Sequence, residues 1–241
     1  VASVSGYYRL PRKVDGLHFG QARQLGERLA TLLQAGRNVV SNHQSLFNDP
    51  ARGDKNFDGD RLVEEATAMY EETWGENPVS DNLSERDRRL IEAQIDAMGE
   101  VIDEHKSQLD MEGVGFKGFI PALFGRLVNE RFAEKVGEEA RIKVTAPIEL
   151  VRNRSARPDP WETEVIETRF RSPDWPRGQA YTEEVEADGR LAFRMLLPEY
   201  YSLSCLSCHG SPAGELDITG YPKEGAGEGD LGGAISITLY R

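Results

Sequence analysis

Two cysteines are all that the 241 residues contain, so a four-thiolate zinc site and an iron–sulfur cluster held by cysteines alone are both excluded. Histidine is scarce as well, with four in the chain. Positive charge is in deficit. Lys and Arg total 29 against 41 Asp and Glu, a net charge of −12. That balance speaks against nucleic acid or an anionic membrane surface as a partner, and suits a basic one. No run approaches the ~20 apolar residues of a membrane-spanning helix. The first residues, Val1 to Leu10, lack a signal-peptide pattern, so any such segment is expected to have been removed or to lie outside this chain. Hydrophobic residues make up 39 %, which supports a substantial core in one large domain or two small ones.

Both cysteines stand in one place, Cys205-Leu206-Ser207-Cys208-His209. This is C-x-x-C-H, the attachment signature of c-type haem. Two thiols at this spacing can each form a thioether to a vinyl group of one porphyrin. The adjacent His209 is then placed to give an imidazole nitrogen to the iron. Three plainer explanations compete: a redox disulfide, a zinc site and chance. The βαβ context of a thioredoxin-like disulfide is missing. A zinc site would need further ligands at a spacing that is not seen. The reading is one covalent haem c. Because such haem is normally attached outside the cytoplasm, the chain is expected to be periplasmic or otherwise extracytoplasmic.

Along the chain, residues 1–16 read as irregular. A long helix is expected over Gln21–Phe47, its apolar seam formed by Leu29, Leu33, Val40 and Phe47 with Gly36 and His43. Asn48 to Asp54 is rich in turn formers. A shorter helix is expected over Arg61–Trp74, and another from Ser84, with Asp87 as a capping partner, to Leu109. Its seam is Ile91, Ile95, Met98, Ile102, His105 and Leu109. The stretch around Val39-Val40 and His43 repeats weakly around Val101-Ile102 and His105, followed by Lys55-Asn-Phe57 and Lys117-Gly-Phe119. Pro121 should open a helix running to Val136. Beyond Gly137 the period turns to alternation. Strands are expected over Arg141–Val151, Glu162–Arg171, Tyr181–Val185, Leu191–Leu197 and Gly233–Tyr240, with Asp188-Gly189 as a hairpin turn. The Gly- and Pro-rich stretch 210–230 reads as a surface loop beside the haem. The expected fold class is therefore α+β, with a helical region over 1–136 and an antiparallel sheet region over 137–241, the two expected to form one compact unit.

Read beside Arg152-Asn-Arg-Ser-Ala-Arg-Pro-Asp-Pro-Trp161-Glu162, the Cys205–Gly210 stretch resembles a family of PAS-like haem c domains. Gly115-Phe-Lys-Gly-Phe-Ile-Pro-Ala122, Phe124-Gly-Arg-Leu-Val-Asn129 and Leu231-Gly-Gly-Ala-Ile-Ser-Ile add to the resemblance, which spans about residues 20–240. It implies a PAS-like antiparallel sheet preceded by a helical bundle, and an extracytoplasmic sensing module. The thioether and proximal roles carry over onto Cys205, Cys208 and His209. Some relatives use a cysteine as second axial ligand, and this chain has none to spare.

For the sixth iron position the candidates are His43 first, then Met195 and His105, with His18, Met69, Met98 and Met111 behind them. The seam histidines also suit a plain core role bonded to backbone. Trp161, Tyr200 and Tyr201 are candidates to line the haem, or to serve as ordinary packing. Arg152, with Arg154 and Arg157, suits the haem propionates or a solvated loop. The functional expectation is a redox or gas-sensing haem module, binding a diatomic gas or meeting a redox partner protein. The alternative is a periplasmic electron-transfer cytochrome. An enzyme would need a distal acid–base group, and no residue pairing identifies one.

Overall fold

The computed structural model describes residues 16–241, with side chains from Phe19 onward. The irregular segment expected over 1–16 falls outside them except for Gly16, and so does the side chain of His18. Five helices come first: α1 Gly16–Asn42, the short α2 Gln44–Phe47, α3 Gly59–Trp74, α4 Glu85–Leu109 and α5 Pro121–Val136. A four-stranded antiparallel sheet follows, made by β1 Ala140–Thr145, β2 Tyr181–Ala187, β3 Arg190–Tyr200 and β4 Leu231–Tyr240, in the order β1-β4-β3-β2. Two short helices, α6 Pro160–Val165 and α7 Leu206–His209, lie in the connections.

The helices begin and end where local chemistry dictates. Ser84 Oγ accepts the Asp87 amide at 3.1 Å and starts α4. Gly75 ends α3 in the left-handed region, which a residue with a Cβ resists. Asp188 and Gly189 both have positive φ, as a two-residue hairpin turn between right-twisted strands requires.

The helical half is a repeat of itself. α3 and α5 each have 16 residues and occupy matching places after His43 and His105. The two copies grip one another reciprocally at their tips. The Lys55 amide donates to Asp110 Oδ1 at 2.9 Å, and the Lys117 amide donates to Asn48 Oδ1 at 3.0 Å. Positions 48, 55 and 57 correspond to 110, 117 and 119 at one constant offset. Lys55 and Lys117 are both buried, each turning its ammonium onto loop carbonyls. The weak sequence repeat is thus part of a duplicated helical hairpin.

Strand alternation splits the sheet cleanly. Phe193, Met195, Ile235, Ile237 and Leu239 join the helical core, while Ala192, Leu196, Ala234 and Tyr240 face α6 on the other side. α1 lies along β3: a Cβ at Gly26 would touch the Met195 sulfur, and Arg37 near its far end pairs with Glu199.

Two strand expectations are corrected. The first strand ends at Thr145, because Pro147 offers no amide to the ladder and a tight helical turn follows at Ile148–Leu150. Residues 162–171 are not a strand at all. Asp159 and Glu162 form a reciprocal capping box with Pro160 at the first turn, and the chain runs through α6 into a π-helical turn at Ile166–Phe170. Glu162, only 1 % exposed, also binds Lys143 at 2.6 Å and Arg194 at 3.3 Å. Glu162→Ala leaves Arg194 buried with one carboxylate fewer. It is expected to cost about 3–5 kcal/mol, read as a fall in the midpoint of chemical denaturation.

Candidate functional site

β3 leaves the sheet at a register shift between Glu199 and Tyr200, a bulge that redirects the chain. A tight turn at Leu203–Cys205 then leads into α7, which carries Cys208 and His209. Cys205 and Cys208 are free thiols, half-buried and not joined to one another. Gly210 follows because a Cβ there would meet the Leu206 carbonyl oxygen at 2.5 Å. Gly232 has no Cβ for a similar reason: it would strike the Tyr201 ring at 2.6 Å.

The loop 210–230 folds back over the histidine. The Ala226 amide donates to the His209 carbonyl at 2.8 Å. Glu224 Oε2 lies 2.8 Å from His209 Nδ1. A carboxylate can only accept, so Nδ1 is the donor of this bond, and in the neutral imidazole Nε2 keeps its lone pair. Arg152 locks this arrangement. Its guanidinium binds Glu224 through both oxygens (2.9 and 3.0 Å), Asp217 at 2.6 Å and the Cys208 carbonyl at 3.0 Å. Tyr201 stacks on the imidazole with ring centroids 4.7 Å apart and an interplanar angle of 23°. Its hydroxyl is pushed up to about 12 by burial first and then by the Glu224 charge.

Asp217 is held well below the usual carboxylate range. Burial opposes this, but the Thr219 hydroxyl, Arg152 and the backbone amides of Tyr221 and Thr219 outweigh it. Glu224 is lowered too, burial again opposing and Arg152 and His209 prevailing. A carboxylate depressed on folding stabilises the fold above its unfolded value of about 4, and that contribution is lost as the pH falls below it. Acid is therefore expected to loosen residues 210–230 before the helical half. Amide exchange, corrected for intrinsic rates, should show protection falling first at Thr219 and Tyr221. Uniform loss across both halves would contradict it.

The residues expected around the haem divide. Arg152, Tyr201 and the Cys205–His209 turn are brought together. Tyr200 is instead covered by the Arg177 guanidinium, 3.9 Å from the ring centroid. Trp161 lies under Arg194 at 4.2 Å and donates to Glu183 at 3.0 Å, on the α6 face of the sheet.

The three leading sixth-ligand candidates all lie in or against the helical core. His43 Nδ1 bonds the Val39 carbonyl at 3.0 Å, and its Nε2 faces Arg61 and Glu65 of α3. His105 Nδ1 bonds the Val101 carbonyl at 2.8 Å, with its ring against Phe119. Met195 is fully buried, its sulfur against α1. The residue that α1 brings to the end of β3, ahead of the turn, is Arg37, which pairs with Glu199. Burial opposes its charge, but Glu199 outweighs burial. Arg37 Nε is buried without a hydrogen-bond partner among the described residues. Glu224, Asp217 and Arg37 were not singled out in the sequence, and nothing local marks them.

The residue set fits a covalent haem. Two free thiols and an imidazole with an available Nε2 stand on one turn. Leu203, Leu216 and Ile218 on the flanking segments are each at least 66 % exposed, apolar surface that a porphyrin face or edge can cover. Among the described residues no three His, Cys, Asp or Glu side chains group as a metal-ligand set. A porphyrin supplies four nitrogens of its own and asks the protein only for axial ligands.

A helical layer packed on a four-stranded antiparallel sheet, with a C-x-x-C-H turn held at the sheet's end, defines an α+β domain with a built thiol–imidazole site. The chain belongs to the Tll0287-like family, whose family model matches residues 20–239. No curated protein and no solved structure matches it. Among the described residues no helix is long and apolar enough to cross a membrane.

Proposed function

We propose that this chain is an extracytoplasmic c-type haem protein with a PAS-like sheet, acting as a redox or gas-sensing module. The supporting observation is the Cys205–His209 turn itself. Both thiols are free, and His209 is fixed through Nδ1 by Glu224 so that Nε2 is presented. Haem bound there supplies a one-electron centre and an iron that takes small ligands. Cys205 and Cys208 hold it covalently and His209 orients it. Arg152 and Glu224 keep the imidazole in place, and Tyr201 packs its face.

In this reading the sixth position takes an exchangeable ligand rather than His43, Met195 or His105. What supports it is that Met195 is fully buried against α1, that His43 Nε2 faces Arg61 and Glu65, and that the His105 ring packs on Phe119. His43→Ala is expected to leave the ferric and ferrous absorption spectra unchanged. A change from low-spin to high-spin ferric iron in that variant would restore His43 as the ligand. Spectra of both oxidation states with and without carbon monoxide test the sensing reading directly. Rapid carbon monoxide binding supports it. A ferrous spectrum indifferent to the gas favours the electron-transfer cytochrome, which the acidic chain would serve by meeting a basic partner.

A further inference from the structure

We infer that Glu224 is a positioning residue for the iron, acting through His209 to hold the imidazole in one tautomer and to lend it anionic character. The inference rests on the haem reading above. The geometry is a 2.8 Å contact between a carboxylate oxygen and His209 Nδ1, in place of the weaker neutral carbonyl that would serve merely to orient a ring. The carboxylate cannot swing away, because Arg152 grips both of its oxygens at 2.9 and 3.0 Å. Arg152 does not neutralise the group either, since it is shared with Asp217 at 2.6 Å. One guanidinium between two carboxylates leaves a net negative charge behind the imidazole. The loop is pinned on the same histidine from the backbone, Ala226 amide to His209 carbonyl at 2.8 Å, so residues 224 and 226 approach as one unit.

A hydrogen bond from the far nitrogen of a ligating histidine to a carboxylate raises the basicity of the near nitrogen. A more basic ligand with negative charge behind it favours the higher oxidation state of the iron and strengthens the iron–nitrogen bond. Glu224 therefore biases this site towards ferric iron relative to one whose histidine meets a backbone carbonyl. A purely structural role is the competing explanation, with Glu224 only a latch for the 210–230 loop.

Two variants separate these roles. Gln at 224 can still accept from Nδ1 and from Arg152 through one oxygen, so it keeps the latch and the tautomer while removing the charge. Ala removes both. The haem-loaded wild type, Glu224→Gln and Glu224→Ala are compared by reduction potential at one pH and by the iron–histidine stretching frequency of the ferrous form. The haem-free chains are compared by the ¹⁵N shifts of His209. The expected result is a ferric-to-ferrous equilibrium displaced towards ferrous iron by tenfold or more in both variants, 59 mV for one electron, with a lower stretching frequency. The Nδ1–H tautomer should dominate in the wild type and in Glu224→Gln, and give way to a mixture in Glu224→Ala, where the Tyr201 hydroxyl, 3.3 Å from Nδ1, is the remaining partner. Ferric-to-ferrous equilibria within twofold of wild type in both variants overturn the inference and leave the latch. If the wild type takes up no haem, the haem reading fails by itself. The ¹⁵N shifts then decide the contact alone, and an Nε2–H tautomer in the wild type overturns it.

Discussion

Replacing Cys205 and Cys208 together by serine is expected to yield a folded chain that carries no covalent pigment, even when co-expressed with a haem-maturation system. The expected effect is complete, because these are the only thiols in the chain and a thioether needs sulfur. The fold should survive. Both side chains are half-buried rather than in either hydrophobic cluster, and neither forms a disulfide. Circular dichroism and the denaturation midpoint should therefore stay near wild type while the visible absorbance disappears. Each single variant is expected to retain a minor fraction attached through one bond, with a shifted ferrous absorption band. Covalent pigment at wild-type yield in the double variant would contradict the assignment of both cysteines.

His209→Ala is expected to separate attachment from ligation. The two thiols remain, so haem is still held, but the iron loses its nitrogen on that side. The native Soret band should be lost in favour of a weakly ligated, high-spin ferric form. Added imidazole should restore a spectrum close to wild type, because the methyl side chain leaves room against Tyr201, whose ring lies 4.7 Å from the imidazole it packs on. The helical core should not respond, since the ring contacts of His209 are with Tyr201 and Glu224. An unchanged spectrum in the variant would remove His209 from the iron. A spectrum changed but deaf to imidazole would point to collapse of the loop instead.

What could be read from the chain follows the range of the interactions involved. The hairpin around Asp188-Gly189, α5 from Pro121 to Val136 and the cap at Ser84 rest on neighbours a few residues apart, and the structure has them where composition and period put them. The weak repeat between His43 and His105 also held its meaning, because a duplicated hairpin keeps matching residues at matching loop positions. The alternating run 162–171 misled for an instructive reason. Val165, Ile166 and Phe170 do supply buried apolar positions, but Asp159-Pro160-Trp161-Glu162 is a helix start, and a capping box outranks a short period-two pattern. In the candidate site, Cys205, Cys208 and His209 could be singled out because they are contiguous. Glu224 and Asp217 could not. Arg152 reaches Glu224 and Asp217 only once the loop has closed, and Arg37 meets Glu199 across the joint between helix and sheet. Tyr200 and Tyr201 are adjacent in sequence, yet strand alternation and the bulge send one to Arg177 and the other to His209.

The most direct test is the intact mass of the acid-denatured wild-type chain, expressed with a haem-maturation system. The account predicts the polypeptide plus one haem, with no thiol left to alkylate and no pigment passing into acidified organic solvent. A mass equal to the bare polypeptide, two alkylatable thiols and an extractable pigment would contradict it.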